Sequence, residues 1–284
     1  MNAFAQDFFE FTRTVTAQSR FRLAPTPSGF LHQGNAINFV LNWLAAKWNT
    51  ETAKIYLRMD DLDTGRTRPE YLEDIFATLS SLQIDWDEAP IYQSANLPFY
   101  HAVLDRLRER DMLFACRKSR QELELFGNVY PPEFRDQGLS LDASDVAWRI
   151  KTPPGFVLQD FVVRRRDGIP AYQVASFADD LCSGITHIIR GEDLKPSTAA
   201  QQLLAKVLSE DKFLKINFLH HPLVLGERGE KLSKSAGSTS LKSGLDNGAG
   251  VRAVFQQLTQ WLGLKGNDLA ELQISLFKRL HELY

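Results

Sequence analysis

The sequence predicts an α/β fold in which a parallel sheet is covered by crossover helices. Three observations carry that expectation. Short apolar runs at residues 21–24 and 54–59 alternate with amphipathic segments at 35–48 and 69–83. The segment between the first two runs is long enough for a helix and too long for a tight hairpin. A further short, nearly continuous apolar run, residues 185–189, reads as another strand.

The elements follow in order. Residues 1–20 read as a short amphipathic helix whose Phe4, Phe8, Phe9 and Phe11 crowd one side and cover the body of the domain. After the strand at 21–24, the run R-L-A-P-T-P-S-G-F-L-H-Q-G-N (residues 22–35) turns on Pro25, Pro27 and Gly29 and reaches His32. Such a strand, stiff turn and helix start can present N–H groups and a histidine to a phosphate. It is also the form of an ordinary strand-to-helix turn. In the helix at 35–48, Ile37, Val40, Leu41 and Leu44 recur at helical spacing. The strand at 54–59 leads into Asp60-Asp61-Leu62-Asp63, and Pro69 with Glu70, Glu73 and Asp74 marks the start of a helix at 69–83. Another helix is expected at 97–110. Ligands of such sheets gather at the carboxyl ends of the strands, where His32 and Asp60 would both lie.

Between Met112 and Leu158 the periodicity weakens, and Pro131-Pro132 and Pro153-Pro154 break the chain into short pieces, as an insertion between two halves of a sheet would. Order returns with Phe161-Val162-Val163, a helix at 171–180 and the strand at 185–189. Ser197 is placed to cap a helix running to Leu208. Residues 219–225 form a further strand, and G-E-R-G-E-K-L-S-K-S-A-G-S reads as an exposed loop. Two amphipathic helices, 251–262 and 268–283, follow. The resulting division is 1–20, 21–111, 112–158, 159–210 and 211–284.

Composition narrows the function. The 284 residues are 44% apolar and 24% charged with a net charge of −2, which removes any global basic field toward nucleic acid or anionic membrane but allows a local patch. Cys116 and Cys182 are the only cysteines, fitting a reducing cytoplasm rather than a disulfide framework. No apolar window is long enough to span a bilayer, and the acidic first residues do not read as a signal peptide.

Several stretches together resemble the class I glutamyl-tRNA synthetases, and above all their short relatives, the glutamyl-queuosine tRNA(Asp) synthetases. Residues 22–35 resemble the family's R-F-A-P-S-P-[ST]-G-x-L-H-x-G opening with its version of the HIGH signature. Residues 57–63, L-R-M-D-D-L-D, resemble L-R-I-E-D-x-D. Residues 161–180, the segment I-T-H-I-I-R-G-E-D-L at 185–194 and K-L-S-K-S at 231–235 complete the set in the family's order. Only 49 residues follow Ser235, too few for the anticodon-binding region of the full-length enzymes, which points to the short relatives. The resemblance implies a Rossmann-like catalytic domain with an inserted subdomain and a helical C-terminal segment.

It also implies an activity: ATP-dependent activation of glutamate and transfer to queuosine in tRNA(Asp), by a cytoplasmic, monomeric enzyme. By resemblance, His32, Gly34, Asn35 and Lys234 contact ATP, with His32, Lys231 and Lys234 catalytic. Arg22, Ala24, Thr26, Asp60, Tyr172 and Arg190 line the glutamate site. Mg2+ is expected with ATP, although no protein ligand for it can be named. Asp60 stands where the family has a glutamate for the substrate's ammonium, shortening the reach by about 1.5 Å. The short relatives often bind zinc through C-x-C, a tyrosine and a cysteine four residues later. Here Cys116 and Tyr130 remain but Lys118 and Phe134 fill the other positions, so no zinc is expected. Arg164-Arg165-Arg166 reads equally as a tRNA contact or a solvated strand edge. Conventional charging of tRNA by a truncated enzyme is the nearest competing reading, followed by a different acceptor, such as a small molecule or a carrier protein, and a non-catalytic binding protein.

Overall fold

The computed structural model describes residues 2–49, 53–124, 126, 130–224 and 248–282. The chain divides into two compact units, Met1–Ala95 with Ile185–Leu194 and Ile216–Tyr284, and Asn96–Gly184 with Lys195–Lys215.

The first unit opens with helix α1, Ala3–Arg13, capped by Asn2, whose Oδ1 accepts the Ala5 N–H at 2.8 Å. Phe8 and Phe9 are fully buried, and Phe4 meets Trp261 edge-on at 5.7 Å. Burying two such rings is worth roughly 2–3 kcal/mol each, so this segment is part of the core rather than an appendage. Strand β1, Arg20–Leu23, helix α2, Gln33–Ala46, and strand β2, Lys54–Met59, form a βαβ unit. β1 and β2 pair in parallel with Phe21 opposite Ile55 and Leu23 opposite Leu57. Helix α3, Pro69–Ser81, follows with proline in its first turn, and leads to the two-residue strand β3, Ile91–Tyr92, parallel to β2. That strand is too short to have left a sequence signal.

The second unit begins with helix α4, Leu97–Glu109. Strand β4, Leu113–Cys116, and the short helix α5, Arg120–Glu124, come next. β4 pairs antiparallel with β5, Ala147–Ile150, which pairs with β6, Val162–Arg164. β4 and β5 lie in the stretch where the sequence showed only broken pieces, whereas β6 falls on the run at 161–163 where order was expected to return. Arg165 and Arg166 sit on the exposed turn after β6, where Gly168 takes φ +88° and the Arg165 guanidinium pairs with Asp167 at 2.6 Å. The Arg164 guanidinium lies 4.8 Å over the Trp148 ring. Helix α6, Tyr172–Cys182, completes this stretch, with Ala171 as its cap residue.

Strand β7, His187–Gly191, returns to the first unit. It starts beside the start of β1: the Thr186 N–H donates to the Arg20 carbonyl at 2.9 Å, and the His187 ring stacks on Phe21 at 5.1 Å. Helix α7 spans Lys195–Leu208 in the second unit. Ser197 is therefore inside its first turn and not its cap, because a 3-10 turn at Glu192–Leu194 runs straight into Lys195 and Pro196 suits a first helical turn. The Ser197 hydroxyl instead accepts from Gln173 Nε2 at 3.0 Å. The short helix α8, Asp211–Leu214, precedes β8, Asn217–His221, which runs parallel to β7. β8 begins two residues earlier than the apolar run implied and stops before Pro222, which has no N–H to give a ladder. Residue 225 and the K-L-S-K-S stretch with Lys231 and Lys234 lie outside the described residues.

Two C-terminal helices, Ala249–Leu262 and Leu269–Glu282, close the first unit. Their Phe255, Leu258, Leu272 and Leu276 join the same buried cluster as Leu41, Leu44 and Ile55. Gln33 Nε2 donates to the Ala253 carbonyl at 3.1 Å, fixing the first turn of α2 to this helical layer. Among the described residues, no helix is long and apolar enough to cross a membrane.

Candidate active site

The turn between β1 and α2 is built to hold a histidine at a helix start. His32 is the cap residue of α2 with extended φ and ψ, and its own N–H donates to Asn35 Oδ1 at 3.1 Å. That bond is one half of a capping box and commits the Asn35 oxygen to the backbone. Asn35 is thus first a cap that shapes the turn, beyond the amide role expected of it. Gly34 leaves room for the ring beside it: a Cβ there would stand 3.1 Å from both Cε1 and Nδ1 of His32. The first N–H groups of a 14-residue helix face the same end, a natural seat for a phosphate.

A third support of this turn escaped the sequence reading. Asp74, on α3, is only 4% exposed, and its Oδ2 accepts the Leu31 N–H at 2.8 Å. In sequence it is one more acid near a helix start, with nothing to set it apart from Glu70 and Glu73.

The proposed amino-acid residues fall at strand ends. Arg22 is the third residue of β1 and nearly buried, and Ala24 and Thr26 follow it into the turn. Asp60 comes directly after β2, and its N–H donates to the Pro25 carbonyl at 2.9 Å, so the end of β2 is tied to the turn after β1. Arg190 is the fourth residue of β7, buried, with its guanidinium 4.9 Å over the Phe218 ring. A Cβ on the next residue, Gly191, would come within 2.5 Å of Asp193 Oδ1, so only glycine lets that carboxylate approach. Asp61, beside Asp60, is spent on structure: it accepts from the Ser94 N–H at 2.8 Å and the Ser94 hydroxyl at 2.6 Å. The first unit therefore gathers His32, Gly34, Asn35, Arg22, Ala24, Thr26, Asp60 and Arg190. Tyr172 belongs to the second unit, where it opens α6 at 40% exposure.

Asp60 carries a load that the sequence did not disclose. The Arg58 guanidinium meets it twice, Nε to Oδ1 at 2.6 Å and Nη2 to Oδ2 at 3.2 Å, with both residues buried. A charge-assisted fork of this kind fixes the carboxylate and shares its negative charge. An ammonium drawn to Asp60 would meet a carboxylate already partly neutralised.

In the second unit, Tyr130 donates its hydroxyl to Cys116 Sγ at 3.0 Å, and burial holds the phenol above its ordinary range, so it stays a donor. Lys118 Nζ lies 5.1 Å over the Phe134 ring and Arg149 lies 4.5 Å over that of Tyr130. Cys116, Phe114 and Tyr130 form a small buried cluster against which Leu123 and Phe134 pack. An ammonium and a phenyl ring occupy the places a tetrahedral thiolate site would need. Among the described residues, no group of three or more His, Cys, Asp or Glu side chains is disposed to hold a metal ion.

The chain has relatives among known proteins. The family model described as tRNA synthetases class I (E and Q), catalytic domain, matches residues 18–128 and 137–274. A glutamyl-Q tRNA(Asp) synthetase of Parasynechococcus marenigrum (strain WH8102) is 39% identical over 250 residues, 86% of this chain and 83% of its own length. A glutamate–tRNA ligase of Synechococcus sp. (strain JA-3-3Ab) is 33% identical, but the chain spans only 59% of it. In fold, the chain superposes on the crystal structure of a glutamate-tRNA synthetase from Elizabethkingia anophelis with a TM-score of 0.71 at 23% identity, covering 92% of this chain and 65% of that one. The chain belongs to the class I tRNA synthetases of the E and Q type, a family of ligases, and carries their catalytic domain.

Proposed function

We propose that the protein activates glutamate with ATP and transfers the glutamyl group to queuosine in tRNA(Asp). The observation that carries this reading is the 39% identity, over most of both chains, to a relative with that name. The strand-end cluster of the first unit supports it with the chemistry it offers. In the first step a carboxylate oxygen of the amino acid bonds to the α-phosphorus of ATP, and the bond to the bridging oxygen breaks to release pyrophosphate. The protein's task is to orient both reactants and to offset charge. The α2 N-terminus and His32 suit the phosphates, while the buried cations Arg22 and Arg190 suit the two carboxylates. Lys231 and Lys234 are assigned to the departing pyrophosphate through the K-L-S-K-S motif. In the second step a nucleophile of the acceptor attacks the anhydride carbonyl and AMP leaves.

Mg2+ accompanies ATP in this reading, and no zinc is involved, given Lys118 and Phe134 beside Cys116. The enzyme acts as a monomer in the cytoplasm. Glutamate-dependent exchange of labelled pyrophosphate into ATP tests activation, and aspartate offered in parallel tests what the shorter Asp60 does to the choice of amino acid. The expected outcome is exchange with glutamate that Lys234→Ala reduces at least 100-fold. Absence of exchange with every amino acid overturns the reading. Labelled glutamate given with tRNA from cells with and without queuosine then tests the acceptor.

A further inference from the structure

Among the described residues, a buried polar contact in the middle of α2 lies outside the roles given above. Asn42, in the middle of α2, is fully buried although it is neither a cap nor a strand-end residue. Its Nδ2 donates to the Ile189 carbonyl at 3.0 Å and to the Asn38 carbonyl at 2.8 Å, and its Oδ1 accepts the Ile189 N–H at 3.3 Å. Because a backbone N–H can only donate, the orientation of the amide is fixed. Asn38, one turn earlier on the same helix face, donates a second bond to the Ile189 carbonyl at 3.0 Å.

Ile189 is thus met on both its N–H and its C=O by side-chain amides of α2, as a neighbouring strand would meet it. The next residue is Arg190. The cap residue of α2, His32, lies roughly 9 Å along the helix axis from Asn38 and roughly 15 Å from Asn42. The two ends of the candidate site therefore share one hydrogen-bonded joint. A leucine could fill the space of Asn42, but it would take away the acceptor of the Ile189 N–H and leave Asn38 alone on the Ile189 carbonyl, loosening the hold of the helix on the strand.

We propose that Asn42, seconded by Asn38, is a positioning residue that sets where the phosphate-facing start of α2 lies relative to Arg190. The proposal rests on the function read above. In-line attack depends on that spacing, whereas each half of the site remains locally intact without the joint. The joint therefore governs turnover more than binding.

The test uses the full chain. In glutamate-dependent pyrophosphate exchange, Asn42→Ala should lower kcat by 10- to 100-fold while KM for ATP and for glutamate each stay within about threefold. Amide hydrogen exchange at Ile189 should accelerate at least tenfold, on the order of the loss of one buried bond. Asn42→Asp gives a further reading. Protonated, it supplies an acceptor and a donor; ionised, it faces two carbonyl oxygens. Its kcat relative to the natural protein should accordingly rise as pH falls. If Asn42→Ala does not fold, Asn38→Ala is expected to lose kcat about threefold with unchanged KM, as one of two donors to the same carbonyl is removed. Unchanged Ile189 exchange, a kcat within twofold of the natural protein, or a loss confined to KM overturns the proposal. Failure of the natural protein to exchange with any amino acid counts against the function instead, and leaves the Ile189 measurement to decide the joint.

Discussion

The carboxylate of Asp74 holds the backbone N–H of Leu31 at 2.8 Å, immediately before His32. A buried acid on α3 thus anchors the turn from which the next helix starts. Asp74→Ala leaves the Leu31 N–H without this acceptor in a buried setting, which costs about 1–3 kcal/mol. Asp74→Asn keeps an oxygen in place and should lose less. Urea unfolding gives the stability, and KM for ATP should rise in Asp74→Ala by about tenfold as the turn loosens. Equal behaviour of the two variants would show that the carboxylate does something other than accept this bond.

At Gly34 stability and activity should move apart. Alanine is a better helix former than glycine by about 1 kcal/mol, and Gly34 sits in the first turn of α2 without unusual backbone angles. The added methyl would nevertheless stand 3.1 Å from two ring atoms of His32, so the imidazole has to turn aside. Gly34→Ala is expected to keep or raise the melting temperature while kcat/KM for pyrophosphate exchange drops by roughly 10- to 100-fold. A variant that keeps full activity would mean that the ring position seen here is not the working one.

These two residues mark where the sequence was legible and where it was not. The β1–α2–β2 unit and α3 could be read because long amphipathic stripes and a first-turn proline are local signals. The residues around His32 could be singled out through motifs that lie in one stretch. Asp74 and Asn42 could not, since each acts on a backbone group more than forty positions away, Leu31 and Ile189. In sequence one is an acid in a helix and the other a polar residue among apolar ones. β4 and β5 were missed for a different reason: L-F-A-C and A-W-R-I are four residues long, too short to display alternation. The Arg58–Asp60 fork falls between these cases. Both residues stand in a recognised motif, but two residues apart on a strand end does not reveal that they pair.

The cluster around Cys116 yields a prediction about metal. The Tyr130 hydroxyl on the thiol and the Lys118 ammonium over Phe134 hold together positions that would otherwise converge on an ion. Prolonged chelation should therefore leave the melting temperature unchanged, and the purified protein should carry less than about 0.1 equivalent of zinc. One equivalent by elemental analysis, or a melting temperature that falls on chelation, would overturn this. Cys116→Ser keeps the size but weakens packing around the phenol, and should cost about 1 kcal/mol.

His187 sets an acid limit on stability. It is buried between Phe11 and Phe21, and Asn217 Nδ2 lies 3.2 Å from its Nε2. Thr14 Oγ1 also lies 3.0 Å from Nε2 and Thr186 Oγ1 lies 2.8 Å from Nδ1, so both ring nitrogens have hydroxyl partners in the fold. Burial pulls the imidazole down to about 4 from an ordinary value of 6.5. The unfolded chain therefore binds a proton on this ring below pH 6.5 that the folded chain refuses until about pH 4. Stability from this group is complete above pH 6.5 and is lost progressively on acidification toward pH 4, reaching about 2 kcal/mol by pH 5. His187→Gln removes the titration while retaining an amide that can both accept and donate. The variant should start less stable at pH 7, through imperfect packing between the two phenylalanines. Between pH 7 and pH 5 its urea midpoint should fall less than that of the natural protein. Equal slopes for the two proteins would place the acid sensitivity in other groups and return His187 to a purely packing role.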